Sequence, residues 1–420
     1  MSLSTEQFEH AYQNAIAAVG VGKRGSRPLE PILINDLARD IRQGKVPEAA
    51  LGAILGALMI KGLTAEERTL EKVLTPHVFD EPKVLVDYIG GAHLKNGLQP
   101  QFIKLIQGTN LSYEESKILG RFLFGDAPGD GLRALAASIM RVRYETREEY
   151  RGLLESVQET FTPGFRQPAP KVNPVVQLAE PFDGVDQSSL VTPLVAEFLI
   201  NEGYCPISLV GRNSGPKKGV TVADIAELLP TSALISCRQL EENIPPFGWH
   251  LHQKDLSPAL DRWVDIRRTI IKRPFLSTIE RFVNPVKADI HIASAFHAPY
   301  GEKMLDLCED AGFPGAIIVR NGTEGSIGFP LLRPAKILCT ARQKNGEYIR
   351  AELEYDSQKE LNHSLKLEEK LMSVHPVKNR DLIALYRVDH QTRNEQFDLR
   401  VQATQRGLKK ALDWIKEQIK

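Results

Sequence analysis

The chain reads as an α/β protein in which a helical domain precedes an α/β domain built on a mainly parallel sheet. Three observations point there. Residues 30–150 place apolar side chains at three- and four-residue spacing, broken by short polar turns such as Gly44-Lys45-Val46-Pro47, which is the period of helices packed on one face. Beyond residue 170 the pattern changes to short apolar runs alternating with amphipathic stretches, which implies parallel strands joined by crossover helices. Two of these runs, Ile207-Ser208-Leu209-Val210 and Ala316-Ile317-Ile318-Val319, each follow a helix ending in glycine (Gly203, Gly312) and lead into a Gly-containing turn. Both turns are therefore expected at the carboxyl edge of the sheet, where α/β proteins place ligands.

Composition bounds the function. The 420 residues, 42% hydrophobic and 25% charged, suit a soluble globular protein with two or three cores. Zero formal net charge gives no global attraction to nucleic acid or to an anionic membrane, so a polyanion site must be a local patch. Cys205, Cys237, Cys308 and Cys339 stand far apart with no C-x-x-C pair, which argues against zinc and disulfides and for a reduced, cytoplasmic setting. The start, Met1 to Glu6, lacks the basic and apolar regions of a secretory signal. The longest strongly apolar run, Ala49 to Ile60, is too short for a bilayer and is expected as a buried helix.

In chain order, four segments are expected: helices over 1–100, a second helical region over 101–165, an α/β domain over 172–345, and a strand and helical tail over 346–420. Helices near 222–270 are candidates to join the helical domain. Leu58 to Glu67 parallels Met140 to Glu149, each a helix end followed by a threonine N-cap with acids in the next first turn, which suggests a duplication. Thr162-Pro163-Gly164-Phe165-Arg166-Gln167-Pro168-Ala169-Pro170 reads as a linker. In the tail, a strand is expected at Ile349 to Tyr355 and an amphipathic helix at Gln402 to Ile419, with Trp414 on the core.

The segment Arg262 to Arg273, continuing to Asn284-Pro285, resembles the part of anthranilate phosphoribosyltransferases in which a paired-arginine helix leads to a substrate-reading arginine and ends at Asn-Pro. Arg267 and Arg268 match the paired arginines, and Arg273 matches the arginine that faces the anthranilate carboxylate. Pro274, Ser277 and Glu280-Arg281 depart from the family pattern. The resemblance runs from about Gln101 to about Tyr348 and is nearest the family's divergent branch of nucleic-acid-binding paralogues. It implies a nucleoside phosphorylase/phosphoribosyltransferase-like fold, a helical domain that forms a homodimer surface from the apolar helices before Arg143, and a first hundred residues that are an added helical segment.

Three segments that carry the family's chemistry are altered. Where the family has a Gly-Thr-Gly-Gly-Asp loop around the donor pyrophosphate, this chain has Glu180-Pro181-Phe182-Asp183-Gly184-Val185-Asp186. Proline lacks an N–H, phenylalanine blocks close approach and three acids repel a polyanion. A plain turn is expected instead, with Asp183 or Asp186 fixing it and Ser188 or Ser189 as helix N-cap. The family's Lys-His-Gly-Asn-Arg loop corresponds to Leu209-Val210-Gly211-Arg212-Asn213, followed by Ser214-Gly215-Pro216-Lys217-Lys218-Gly219. A glycine-rich loop bearing Arg212, Lys217 and Lys218 ahead of a helix is suited either to one phosphate or to solvent. The family's metal-binding Asp-Glu pair falls on Ile327 and Gly328, just after Arg320-Asn321-Gly322-Thr323-Glu324. Glu324 alone is poor support for Mg²⁺, so no metal is expected, and its ordinary roles are capping a turn or pairing with Arg320.

Between Asp261 and Ile290 seven basic residues (Arg262, Arg267, Arg268, Lys272, Arg273, Arg281, Lys287) stand against four acidic ones. This is a solvated helix face or a phosphate-binding patch. His297 is expected to be structural. The expected function is a phosphoribosyltransferase-fold protein that holds phosphates of a nucleic acid or nucleotide through Arg212, Lys217, Lys218, Arg267, Arg268 and Arg273. The glycines and neighbours Gly211, Asn213, Gly215, Gly219, Asn321, Gly322 and Glu324 would shape the ligand loops. The alternative is a phosphoribosyl or pentosyl transferase with altered donor or acceptor, in which Arg273 reads an acceptor carboxylate. An interaction scaffold built on the added segments is a third possibility.

Overall fold

The computed structural model describes residues 8–20, 22, 25–90, 97–167, 169–170, 173–296, 300–368 and 373–419. It divides into two compact units, one of residues 1–159 with 262–279 and one of residues 160–261 with 280–420. The segments expected at 1–100 and 101–165 thus fall in one unit as far as residue 159, joined there by much of the Arg-rich segment.

The helical unit begins with α1 (Ala11–Val19), α2 (Pro31–Arg42), α3 (Glu48–Lys61) and the short α4 (Ala65–Arg68), and continues with α5 (Pro82–Gly90), α6 (Gln99–Ile106), α7 (Tyr113–Leu123), α8 (Asp130–Arg143) and α9 (Arg147–Gln158). Capping boxes start α4, α7 and α9: Thr64 with Glu67, Ser112 with Glu115, and Thr146 with Glu149. The duplication suggested by the sequence is present in the structure. The bounds of α3 and α8, the threonine caps and the box glutamates all recur at one constant offset. The two copies pack on each other through α3 and α8, the most extensive helix pairing among the described residues. That pairing requires glycine: a Cβ on Gly52 would lie 1.9 Å from the Gly131 carbonyl oxygen, and one on Gly56 2.8 Å from that of Leu135. Both helices are buried over most of their length, so the apolar helices before Arg143 cover one another within a single chain.

Near the start of the sheet unit, the N–H and hydroxyl of Thr162 donate to the carbonyls of Leu256 and Asp255 at 2.8 Å. The start of the expected linker is therefore tied down. Strand β1 (Val175–Ala179) is followed by α10 (Thr192–Asn201), β2 (Cys205–Val210), α11 (Val222–Ala226), β3 (Ser232–Ala233), β4 (Trp249–His252) and α12 (Gln253–Leu256). Helices α13 (Pro258–Ile270) and α14 (Leu276–Phe282) carry the Arg-rich segment, and most of α13 belongs to the helical unit. There the Trp263 indole donates to the Leu123 carbonyl at 3.0 Å and meets Phe275 edge-on at 5.7 Å. Strand β5 (Ile290–Ala295), α15 (Tyr300–Asp310), β6 (Gly315–Arg320), β7 (Ala335–Arg342), β8 (Tyr348–Tyr355), α16 (Ser357–Leu361), α17 (Pro376–Asp389) and α18 (Glu395–Ile419) complete the chain.

The eight strands form one sheet in the order β3-β4-β2-β1-β5-β6-β7-β8. It is parallel from β3 to β6 and antiparallel at β7 and β8. Every residue of β1, β2 and β5 is buried, as in central parallel strands covered on both faces. Edge strand β8 is exposed or half-buried along its length except at Tyr355, which is buried. Helix α18 closes the unit, burying Phe397, Val401, Leu408, Leu412 and Ile415, with Trp414 packed on the same core. All four cysteines are buried and unpaired. No helix of the described residues is long and apolar enough to cross a membrane.

Candidate functional site

The strand order turns outward on both sides of β1, and the loops after β1, β2 and β6 leave from the carboxyl edge, where open α/β sheets bind ligands. In the sheet unit these loops are joined to one another. Val185 and Val220 exchange backbone hydrogen bonds at 2.9 and 2.8 Å, Gly219 N–H donates to the Asp183 carbonyl at 2.9 Å, and Ser214 N–H donates to that of Phe182 at 3.1 Å.

The predicted loop glycines serve this closure. A Cβ on Gly219 would sit 2.6 Å from the Val185 carbonyl oxygen, one on Gly211 would meet the Phe182 ring at 2.9 Å, and one on Gly322 would lie 1.9 Å from the Ser326 carbonyl oxygen. Gly215 takes a positive φ of 65°. Asn213 closes its own loop, its Nδ2 donating to the Gly219 carbonyl at 2.5 Å while its Oδ1 accepts from Gly215 N–H at 3.1 Å. Asn321 is left-handed, with φ 62°, and its carbonyl accepts from Arg333 at 3.3 Å.

Glu324 is the hub of the cluster. Its carboxylate accepts from the N–H groups of Asp186 at 3.1 Å and Gln187 at 2.9 Å, from the Ser188 hydroxyl at 2.8 Å, and from the Lys217 ammonium at 2.5 Å. Burial pushes its pKa up, but the bonds from Lys217, Ser188 and Gln187 outweigh that and hold it below the usual range. The structure corrects two expectations here. Of the two roles expected for Glu324, it takes that of capping a turn, at Asp186 and Gln187, and its ion pair is with Lys217 and not with Arg320, which reaches Glu352 at 3.4 Å. Neither Ser188 nor Ser189 caps α10, because the helix starts later, after Val191, and Ser188 points its hydroxyl at Glu324.

Glu180 is fully buried just after β1. It accepts from the Thr192 hydroxyl at 2.6 Å and from the Ile327 N–H at 3.1 Å. Burial raises its pKa to about 7 against the opposing pull of those bonds and of the Arg281 charge. A carboxyl balanced near neutrality is able to gain or lose a proton. Gln253, which sequence reasoning missed, follows β4 directly at the same edge. It is 4% exposed with neither amide atom partnered, and its Oε1 lies 2.9 Å from where a Gly211 Cβ would be. Its place immediately after a strand was the available signal.

The six predicted cations divide between the units. Arg212, Lys217 and Lys218 are in the sheet unit, and Arg267, Arg268 and Arg273 in the helical unit. Arg212 is turned onto Asp261, its Nε 3.0 Å from both carboxylate oxygens and its Nη2 2.8 Å from the Asp261 carbonyl. Arg267 is 2% exposed, because it lies on the buried stripe of α13 with Trp263, Val264 and Ile270. Lys218, Arg268 and Arg273 are exposed. His297 lies outside the described residues.

The architecture is that of the anthranilate phosphoribosyltransferases. The enzyme from Thermus thermophilus superposes with a TM-score of 0.55 at 17% identity, over 74% of this chain and 88% of its own. That from Saccharomyces cerevisiae, solved in complex with PRPP and Mg, gives 0.57 at 11% identity over 77% and 95%. Among curated sequences, an uncharacterized protein of Aquifex aeolicus (strain VF5) is 25% identical over 218 residues, 52% of this chain. An anthranilate phosphoribosyltransferase of Deinococcus radiodurans is 24% identical over 223 residues, 53% of this chain. Each match spans 64% of the relative's length. No protein-family model matches the chain.

Proposed function

We propose that this chain binds the phosphates of a nucleic acid, or of a nucleotide, through basic side chains and without the donor and metal handling of the transferases whose fold it shares. The observation that supports this is the exposure of Lys218, Arg268 and Arg273, while the loop cluster at the sheet edge is already filled by Glu324. Arginine keeps its charge at any working pH and pairs bidentately with phosphate oxygens. At the metal positions stand Ile327 and Gly328, and the Glu324 carboxylate is closed on an ammonium, a hydroxyl and two amides. Those residues do not fit a divalent cation, so the reading includes none. The unpaired cysteines suit a cytoplasmic location.

A phosphoribosyl or pentosyl transferase with altered donor or acceptor is the second reading. What favours it is Glu180, a buried carboxyl with a pKa near 7 at the edge where such folds bind substrate.

One titration separates the two. Fluorescent single- and double-stranded oligonucleotides are added at low and at physiological salt, with labelled phosphoribosyl pyrophosphate plus Mg²⁺ in parallel. The first reading expects oligonucleotide binding that falls steeply with salt, as counterion release requires, and that drops in a Lys218→Ala/Arg268→Ala/Arg273→Ala variant. Metal-dependent binding of phosphoribosyl pyrophosphate with no oligonucleotide affinity overturns it in favour of the second.

A further inference from the structure

The donors around Glu324 are the kind that recognise an oxyanion: two adjacent backbone N–H groups, a serine hydroxyl and a lysine ammonium, all within 3.1 Å of one carboxylate. Such a set is indifferent to whether the oxygens belong to a carboxylate or a phosphate. The residue that supplies the carboxylate is held in an uncommon backbone conformation. Glu324 has φ 55° and ψ 17°, a left-handed geometry that costs a non-glycine residue about 1 kcal/mol or more. Its side-chain bonds hold it there. The loop that carries it is built to turn sharply, with Gly325 at φ 84° and Gly322 in a place that no Cβ would fit.

We propose that Glu324 is an internal anion occupying a phosphate-binding site formed by the amides of Asp186 and Gln187, the Ser188 hydroxyl and the Lys217 ammonium, and that it closes this site against external phosphates. The ligand class is a phosphate or pyrophosphate group without a bound metal, since Ile327 and Gly328 stand at the metal positions and offer no ligand side chain. The proposal does not depend on the exposed cations of the preceding reading. Oligonucleotide binding can fail while this site stands, and the reverse also holds.

Physical chemistry sets the size of the effect. A tethered carboxylate competes at a high effective concentration. Free phosphate therefore sees only the small fraction of molecules in which Glu324 has left the site, and its apparent affinity is reduced by that fraction. Removing the carboxylate should raise the affinity by on the order of tenfold or more. The opened donor set keeps Lys217, and that ammonium also faces Asp186 at 3.8 Å, so the gain is set against a remaining carboxylate.

The experiment titrates inorganic phosphate and pyrophosphate, in chelator and without divalent metal, into the full chain and its Glu324→Ala and Glu324→Gln variants by calorimetry. Circular dichroism checks the fold of each. The expected result is weak or no binding by the parent chain, binding by Glu324→Ala, and its loss in Glu324→Ala/Lys217→Ala. A folded Glu324→Ala that binds no more tightly than the parent overturns the proposal, and so does a gain that survives removal of Lys217. Unfolding of both single variants would also overturn it, because Glu324 would then be a clasp that no ligand can displace.

Discussion

Glu67 and Glu149 do the same work in the two halves of the helical unit. Each is a fully buried carboxylate that accepts, at 2.9 Å, the N–H of a leucine 38 residues upstream, Leu29 for Glu67 and Leu111 for Glu149. Each also closes a capping box on a threonine N–H at 2.9 Å, Thr64 or Thr146. Each is neutralised by the last residue of the preceding helix, Lys61 at 2.8 Å or Arg143 at 2.5 Å. A repeated sequence has preserved a repeated solution: one glutamate ties a helix start to a distant chain segment.

Replacing either glutamate by alanine leaves two backbone donors without an acceptor and takes the carboxylate from a half-buried cation, although Lys61 keeps the Gly62 carbonyl at 2.7 Å. Each loss should destabilise the chain by about 2 to 4 kcal/mol, and by similar amounts in the two copies. Urea unfolding of Glu67→Ala and Glu149→Ala measures this. Equal losses are the expected outcome, and a near-neutral Glu67→Ala would show that the first copy contributes little to the fold.

The contact of α3 with α8 makes a sharper demand. In an isolated helix Gly52→Ala would be stabilising by about 1 kcal/mol. Here the new methyl meets the Gly131 backbone at 1.9 Å, and forcing the helices apart is expected to reverse the sign, to a loss of about 1 to 3 kcal/mol. Because this pairing covers α3 and α8 within one chain, light scattering decides whether the expected homodimer forms through other surfaces. A dimer would place the subunit interface on a surface other than the α3–α8 pairing.

Much of the fold was legible because it rests on local rules. The threonine caps at Thr64 and Thr146, the glycines ending α10 and α15, and the apolar runs of β2 and β6 each carry their structure in a few adjacent residues. The site was less legible because its bonds are non-local. Nothing near Glu324 in the sequence names Lys217 or Ser188 as partners, and charge counting could not show that Arg212 turns onto Asp261 or that Arg267 faces the core. The cations were found as residue types, whereas their availability depends on packing.

Two buried histidines set an acid limit on stability. Burial lowers the pKa of His250 to about 4, and burial followed by the Arg281 charge lowers that of His291 to about 3. The unfolded chain takes up these protons near pH 6.5 and the folded chain does not. Each histidine therefore contributes stability that is lost as pH falls below about 6.5, at up to about 1.4 kcal/mol per pH unit. His291→Phe, which suits the gap between Phe282 at 5.0 Å and Phe313 at 4.7 Å, should flatten this slope. A slope unchanged by the substitution would mean that His291 is already protonated when folded.

Glu180 acts in the opposite direction over the same range. Its pKa rises to about 7 on folding because burial disfavours the carboxylate more than Thr192, Ile327 and Arg281 restore it. The folded chain thus holds a proton that the unfolded chain releases near pH 4.5, so Glu180 contributes stability below that pH which is lost as pH rises through about 7. Between pH 4.5 and 6.5 it cancels the slope of about one histidine. Glu180→Gln keeps an oxygen for the Thr192 hydroxyl and the Ile327 N–H while removing the titration. It should therefore leave the chain more stable than the parent by about 2 kcal/mol at pH 8 and steepen the acid-side slope set by His250 and His291. Denaturant midpoints of the parent and Glu180→Gln from about pH 4.5 to 8 measure both effects. If the two curves run parallel across that range, Glu180 is ionised in the folded chain at neutral pH, and the main argument for a proton-transfer role at this edge is gone.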